Sequence, residues 1–453
     1  MDVLKGTAAV PEPGASGAGL GRGEPARRVA VWGAWHLGAV VGAGLASLGH
    51  QVTLTDLDDE VVTKLRSGRP AVHEPGLEDL LREQRSAGRL EVAGFADPSL
   101  GGAEYTVIAL DVAIDDEDRA VLDGVHDLAD AITHVVTGET LLVVMSQVPV
   151  GTSDWLAERV AAGSGASVFV AHVPENLRLG SALATFFRPD RIVVGADDDR
   201  TLRRVSELFA GLHCPVVSMS VRSAEMAKHA LNAYLATCIS FIGEVSELCE
   251  QVGADAIDVA AAMRLDRRVS PHAPLAPGLG YAGGTLGRDV QSLRRLGSDN
   301  GVATELMDAV MSVNRRRIVT LAEKVASAAA DGSKAVALLG LTYKPGTDTL
   351  RRSQSLELAR LLVDNGMSVR GHDPMIGSQP SSKLGFPVFG EPYEAAAGAE
   401  VAVLMTEWPE YRQLDLHRLA SLMARPVLID PGGFLDEAAA RAAGFRRRVL
   451  GRA

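Results

Sequence analysis

The sequence predicts an α/β protein, two doubly wound domains joined by a long central helix and a helical middle region. Three observations carry that expectation. Short apolar runs alternate with helix-length segments from Arg27 to Met219, the alternation gives way after Ser220 to about thirty residues of unbroken helical periodicity, and it resumes at Ala335. At 453 residues the chain also exceeds a single core, given roughly 150 residues per domain.

Residues 1–26 are rich in Gly, Ala and Pro, lack the basic start and apolar stretch of a signal peptide, and are expected to form a disordered tail. From Arg27, RRVAVWGAWHLGAVVGAGLASLGHQVTLTDLD reads as an apolar strand, a glycine-containing turn, a small-residue helix and a second strand ending in Asp56. Further strands are expected at 105–110, 141–146, 168–172, 191–195 and 216–219, giving a mostly parallel, Rossmann-like domain over 27–220. The proline-free segment VRSAEMAKHALNAYLATCISFIGEVSELCEQVGAD predicts one long helix, and a second helical stretch covers 304–330; together they define a middle domain over 221–330. Strands at 335–340, 368–372, 401–405 and 427–429 make 331–453 a second Rossmann-like domain.

Composition narrows the function. With 47% hydrophobic and 23% charged residues the chain is of ordinary globular type, and no apolar run approaches the roughly 18 residues of a membrane helix. A net charge of -12 argues against nucleic-acid binding, which is built on clustered Lys and Arg. The three cysteines, Cys214, Cys238 and Cys249, are too few and too irregular for a disulfide framework or a zinc site, so a reducing cytoplasm and no metal are expected.

The first strand-helix turn, Gly33-Ala34-Trp35-His36-Leu37-Gly38, matches the dinucleotide fingerprint GxGxxG at its first and third glycines. Trp35 stands at the middle position, where glycine lets the backbone approach a pyrophosphate. Asp56 sits where an acidic residue accepts the ribose 2′-hydroxyl, which favours NAD over NADP. Taken alone, the turn fits NAD binding and plain strand-to-helix packing equally well. On the long helix, Lys228 and Asn232 are spaced i, i+4 and share one face, an ammonium beside an amide suited to a developing alkoxide or a bound water. The glycines of PGLGYAGGTLGRDV, at 278, 280, 283 and 284, allow close backbone approach to a ligand or simple loop flexibility.

An ordered series of such segments resembles the UDP-glucose and GDP-mannose dehydrogenase family from Arg27 nearly to the end. HEPGLEDLL at His73, PENLRLGSAL at Pro174, SAEMAKHALNAYLATCISFIGE at Ser223, PGLGYAGGTLGRDV at Pro277, LGLTYKPGTDTLRRS at Leu339 and TEWPEYR at Thr406 each are similar to a family segment, in the family's order. The resemblance implies an NAD-dependent oxidation of a nucleotide-linked hexose at C6. It implies catalytic roles at Glu175, Lys228, Asn232, Thr285 and Asp289. NAD would be met by Gly33, Trp35, His36, Leu37, Gly38 and Asp56, with Lys344 and Arg351. The sugar nucleotide would be met by Glu175, Asn176, Leu177, Lys228, Asn232, Gly280, Tyr281, Gly283 and Lys344. By the same analogy the long helix is the core of a homodimer or larger homo-oligomer.

The sequence departs from the family where the chemistry is hardest. The position of the family's catalytic cysteine holds Thr285, the lysine after it is Arg288, Thr349 stands where a second aspartate is usual, and PGG follows Asp430 in place of GRN. A thiolate attacks the intermediate aldehyde readily, whereas a threonine hydroxyl needs an adjacent base. The first oxidation needs no covalent nucleophile. Two readings therefore follow: an oxidoreductase acting on a UDP-linked, less readily a GDP-linked, hexose that stops at the aldehyde or completes the second step without a covalent adduct; or a non-catalytic nucleotide-sugar-binding protein with a regulatory or scaffold role.

Overall fold

The computed structural model describes residues 26–115, 119–329 and 334–452, so the expected tail lies outside the described residues apart from Ala26. By packing, the chain divides into two compact units, one of residues up to 115 together with Ala120–Lys228, the other principally His229–Ala453.

The first unit runs β1 (Arg28–Trp32), α1 (Leu37–Ser47), β2 (Gln51–Thr55), α2 (Asp59–Arg66), α3 (Leu77–Ser86), β3 (Leu90–Val92), β4 (Tyr105–Ile108), α4 (Asp123–Val135), β5 (Glu139–Val144), α5 (Thr152–Ser164), β6 (Ser167–His172), α6 (Ala182–Phe187), β7 (Ile192–Gly195), α7 (Asp199–Leu208) and β8 (Val216–Met219). Its 8-stranded sheet has the order β3-β2-β1-β4-β5-β6-β7-β8. The first six strands follow the doubly wound dinucleotide-binding order, and every pairing is parallel except β6 with β7, which meet antiparallel at His172 and Gly195. Both faces of β1 are buried: Val29 and Val31 enter one core, Ala30 and Trp32 the other. Helix α1 is made of small residues because it is buried on nearly every side; a Cβ at Gly44 would stand 2.2 Å from the Phe186 ring.

Helix α8 (Val221–Val252) is 32 residues long and runs from the first unit into the second. In its first turns Glu225, 1% exposed, accepts hydrogen bonds from the backbone N–H groups of Gly151 (2.6 Å) and Ser153 (2.9 Å), so a carboxylate caps the positive end of α5. The second unit continues with α9 (Ala256–Leu265), α10 (Thr285–Asp299) and α11 (Glu305–Ala328). Its second half is β9 (Ala335–Leu339), α12 (Gln354–Asp364), β10 (Ser368–His372), α13 (Ser381–Leu384), β11 (Val388–Phe389), α14 (Pro392–Ala396), β12 (Val401–Leu404), α15 (Leu416–Leu422), β13 (Val427–Ile429), α16 (Glu437–Ala442) and β14 (Arg446–Arg448). These form a 6-stranded, all-parallel sheet of order β11-β10-β9-β12-β13-β14, the second Rossmann-like layer. No helix among the described residues is long and apolar enough to cross a membrane.

Candidate active site

The turn between β1 and α1 is built on two glycines that nothing else can replace. Gly33 has φ +92° and a Cβ there would lie 2.8 Å from the Ala109 carbonyl oxygen, while a Cβ at Gly38 would fall 1.5 Å from the Gly33 oxygen. Asp56, just beyond β2 and 8% exposed, accepts from Ala34 N–H (2.6 Å) and Asp58 N–H (2.9 Å), one to each carboxylate oxygen. Each oxygen keeps a second lone pair able to accept a ribose hydroxyl. Trp35 is 50% exposed between these fixed points.

The first N–H groups of α1 are already engaged. His36, the N-cap residue, and Leu37 both donate from the backbone to Asp111 Oδ2, each at 3.1 Å, and neither His36's side chain nor any acid of the first turn caps the helix. The imidazole of His36 instead turns to Glu74, Nε2 to Oε2 at 3.0 Å. Glu74 also accepts from Gly180 N–H (2.7 Å) and Ala182 N–H (2.8 Å), tying the HEPG segment to the PENLRLGSAL segment at the start of α6. Burial pushes the Glu74 carboxyl up, but the bonds from His36, Gly180 and Ala182 together outweigh it and hold it below its ordinary range.

In the same unit Lys228, 8% exposed, donates to the backbone oxygen of Glu175 and to Asn176 Oδ1 (3.0 Å). The Glu175 carboxylate bonds the backbone N–H of Leu177, which fixes the loop that receives the ammonium. A buried cation is thus met by oxygen acceptors of one segment, Glu175–Asn176.

In the second unit Asp289 is wholly buried. Its Oδ2 accepts from Asn232 Nδ2, its Oδ1 faces His229 Nδ1 at 2.9 Å, and Arg288 Nε stands 3.6 Å from Oδ1. Thr285, exposed, is the first residue of α10 and lies one turn before Asp289 on the same helix, with Gly284 at the N-cap. The glycine loop ahead of α10 is braced, not loose. Asn314 accepts from Tyr281 N–H (2.9 Å) and donates to the Tyr281 carbonyl (3.1 Å); Gln354 donates to the Leu279 carbonyl (3.1 Å), and Arg317 to the Gly278 carbonyl (2.5 Å). Gly280 at φ +104° would put a Cβ 2.4 Å from Asn314 Oδ1, and Gly283 N–H reaches the Arg352 carbonyl. Lys344, partly buried, lies over the Tyr343 ring (5.5 Å to its centroid), and Arg351 is exposed.

Sequence reasoning therefore named Lys228, Asn232 and Asp289 but not the groups that hold them or the turn in place: His229, Asp111, Glu74, Asn314 and Gln354. Glu74 stood inside a recognised segment and carried a signal; the others are joined to their partners only by the fold. Of the cysteines, Cys249 is buried and Cys238 packs partly buried in a small apolar cluster.

A doubly wound first unit, a two-glycine turn and an acidic residue after β2 define a dinucleotide-dependent oxidoreductase class. The particular family follows from comparison with known proteins. Residues 27–213 match the UDP-glucose/GDP-mannose dehydrogenase family NAD binding domain, 222–316 its central domain and 337–437 its UDP binding domain. UDP-glucose 6-dehydrogenase of Rhizobium meliloti is 36% identical over 438 residues, covering 94% of this chain and 99% of that protein. YwqF, a UDP-glucose 6-dehydrogenase of Bacillus subtilis, is 34% identical over 431 residues, with 94% and 97% covered. The structure of a UDP-glucose dehydrogenase from Pyrobaculum islandicum superposes with a TM-score of 0.84 at 33% identity, covering 96% of this chain and 99% of that one. The chain belongs to the UDP-glucose/GDP-mannose dehydrogenase family, and its cofactor is NAD. Gly33, Gly38 and Asp56 fit that cofactor without change; at the helix terminus, Asp111 holds the donors a pyrophosphate would use.

Proposed function

We propose that this protein oxidises the primary alcohol at C6 of a UDP-linked hexose, and that its first oxidation is uncoupled from a covalent second one. The observation that carries the reading is the burial of Lys228 on α8, its ammonium held by the Glu175–Asn176 segment, one helical turn from Asn232, which is itself fixed by Asp289. An ammonium and an oriented amide are what a C6 alkoxide requires as its proton leaves to water. NAD, held by the β1–α1 turn and Asp56, supplies the hydride acceptor.

Asp289 acts in this reading as a positioning group. With both oxygens engaged and no exposure, it aligns Asn232 and His229 and balances Arg288. Thr285 supplies a hydroxyl where the family has a thiol; the 6-aldehyde is accordingly released, and acid forms only as the aldehyde takes up water to a gem-diol whose remaining C–H hydride is removed by a second NAD. Lys344 and Arg351 serve the diphosphate and the braced loop of Gly280, Tyr281 and Gly283 the sugar.

The working unit in this reading is a homodimer or larger. On α8, Tyr234, Phe241 and Leu248 are 55%, 48% and 66% exposed at heptad spacing, and Val252 beyond them is 76% exposed, an apolar stripe suited to a second copy of the helix.

The test is to incubate purified protein with NAD and a panel of UDP- and GDP-hexoses, trapping aldehydes with a hydroxylamine and resolving products by mass spectrometry. UDP-hexose aldehyde in excess over acid is expected. Absence of NADH and of any oxidised sugar across the panel refutes the activity; acid alone, with two NADH per sugar, refutes the uncoupling.

A further inference from the structure

We infer that Asp111 is the residue that sets how tightly this chain holds NAD, its carboxylate standing in for a phosphate at the start of α1 until the dinucleotide displaces it. In a doubly wound dinucleotide fold the pyrophosphate rests on the N–H groups that open the first helix, where the helix dipole favours negative charge. Here the N–H groups of His36 and Leu37 converge on one oxygen of Asp111, both at 3.1 Å.

The placement of Asp111 is not an accident of a loose loop. It follows Ala109 and Leu110 beyond the end of β4, where Leu110 N–H donates to Ser146 Oγ at 2.7 Å and where Gly33 presses so closely that a Cβ would come within 2.8 Å of Leu110 N. The backbone beside the turn is pinned. Asp111 itself is exposed, so the carboxylate on these donors lies where a ligand arriving from solvent meets it.

A carboxylate and a pyrophosphate cannot share the same two donors, and at a few ångström their like charges repel. NAD therefore binds at the cost of breaking both contacts. Trp35, half exposed between Gly33 and His36, adds bulk at the position where the fingerprint has glycine, so two features of one turn act in the same direction. The consequence is an NAD affinity set low by this chain's own residues, leaving the cofactor to exchange between turnovers.

The inference rests on NAD being the cofactor, and calorimetric titration of NAD into the purified full-length protein separates the two ideas. Asp111→Ala frees both donors and is expected to lower the Kd for NAD about tenfold. Asp111→Asn keeps an acceptor for α1 but removes the charge, and is expected to lower it about threefold while retaining the fold. If Asp111 were only a helix cap, both variants would lose thermal stability and bind NAD no better than the wild type; unchanged or weaker binding in a folded variant overturns the inference. Equal absence of binding in all three proteins would overturn the cofactor assignment and this proposal with it, whereas binding that appears only in the variants supports it.

Discussion

Replacing Glu74 tests whether the cofactor turn and the loop that receives the Lys228 ammonium are braced by one buried carboxylate. Glu74 is 3% exposed and receives three donors, His36 Nε2 and the backbone N–H groups of Gly180 and Ala182. Glu74→Ala strands two backbone N–H groups, each costing about 1–3 kcal/mol, so a loss of about 4 kcal/mol is expected. Glu74→Gln is nearly isosteric, yet its amide must turn an NH2 toward one of the donors, and about half that loss, ~2 kcal/mol, is expected. Urea unfolding followed by tryptophan fluorescence is a suitable assay, since Trp32, Trp35 and Trp155 all belong to the first unit. The pH dependence sharpens it. The folded carboxyl is held below its ordinary 4.5, so the unfolded chain takes up this proton first, and the stabilisation is fully present above about 4.5 and drains away as pH falls through the folded value. The wild type's advantage over Glu74→Gln should therefore be flat from pH 7 to 5 and close below it. A loss under about 1 kcal/mol for the alanine variant at pH 7, or a gap unchanged into the acid range, would refute the reasoning.

Thr285→Cys places a thiol at the first position of α10, where the helix terminus lowers its pKa; the acid-to-aldehyde ratio should rise several-fold, and unchanged products would mean that more than the nucleophile has diverged. Lys228→Met keeps the buried stem but removes the ammonium, and kcat should fall about 10²–10³-fold while calorimetric NAD affinity stays within twofold, a split that a merely misfolded variant would not show. Asn314→Ala deletes both bonds to Tyr281, which should cost the second unit about 2 kcal/mol in urea unfolding and raise KM for the sugar nucleotide more than it lowers kcat.

The βαβ opening, the long helix and the second alternating region were legible because their signals are local: apolar runs of strand length, a proline-free helical period and punctuating glycines. Three edge strands were not. Strand β14 is Arg446-Arg447-Arg448, with no apolar residue to mark it; it forms because β13 offers unpaired backbone groups at Val427–Ile429 and because Asp430 receives Arg447 at 2.7 Å. Strands β3 and β11 are too short to carry a period. The same division holds in the site. Lys228 and Asn232 announce themselves by i, i+4 spacing, but the bond from His229 to Asp289 spans 60 residues, that from His36 to Asp111 spans 75, and that from Gly180 to Glu74 spans 106. No periodicity encodes such pairs; packing creates them.

Those distant partners also bear on why the charged groups are there. A carboxylate with no exposure, such as Asp289, is not explained by stability, since a well-packed apolar side chain in its place is commonly neutral or stabilising once the ion's partners are removed too. Keeping Asp289 obliges the unit to supply Asn232 and His229 as donors and Arg288 as a nearby counter-charge. Lys228 makes a similar demand in the first unit, consuming the Glu175 carbonyl and the Asn176 amide. A fold that needed only to bind a sugar nucleotide would gain by discarding this apparatus, whereas one that must stabilise an alkoxide requires a fixed cation and a fixed amide. The cost of these buried charges thus favours the proposed oxidation over passive binding.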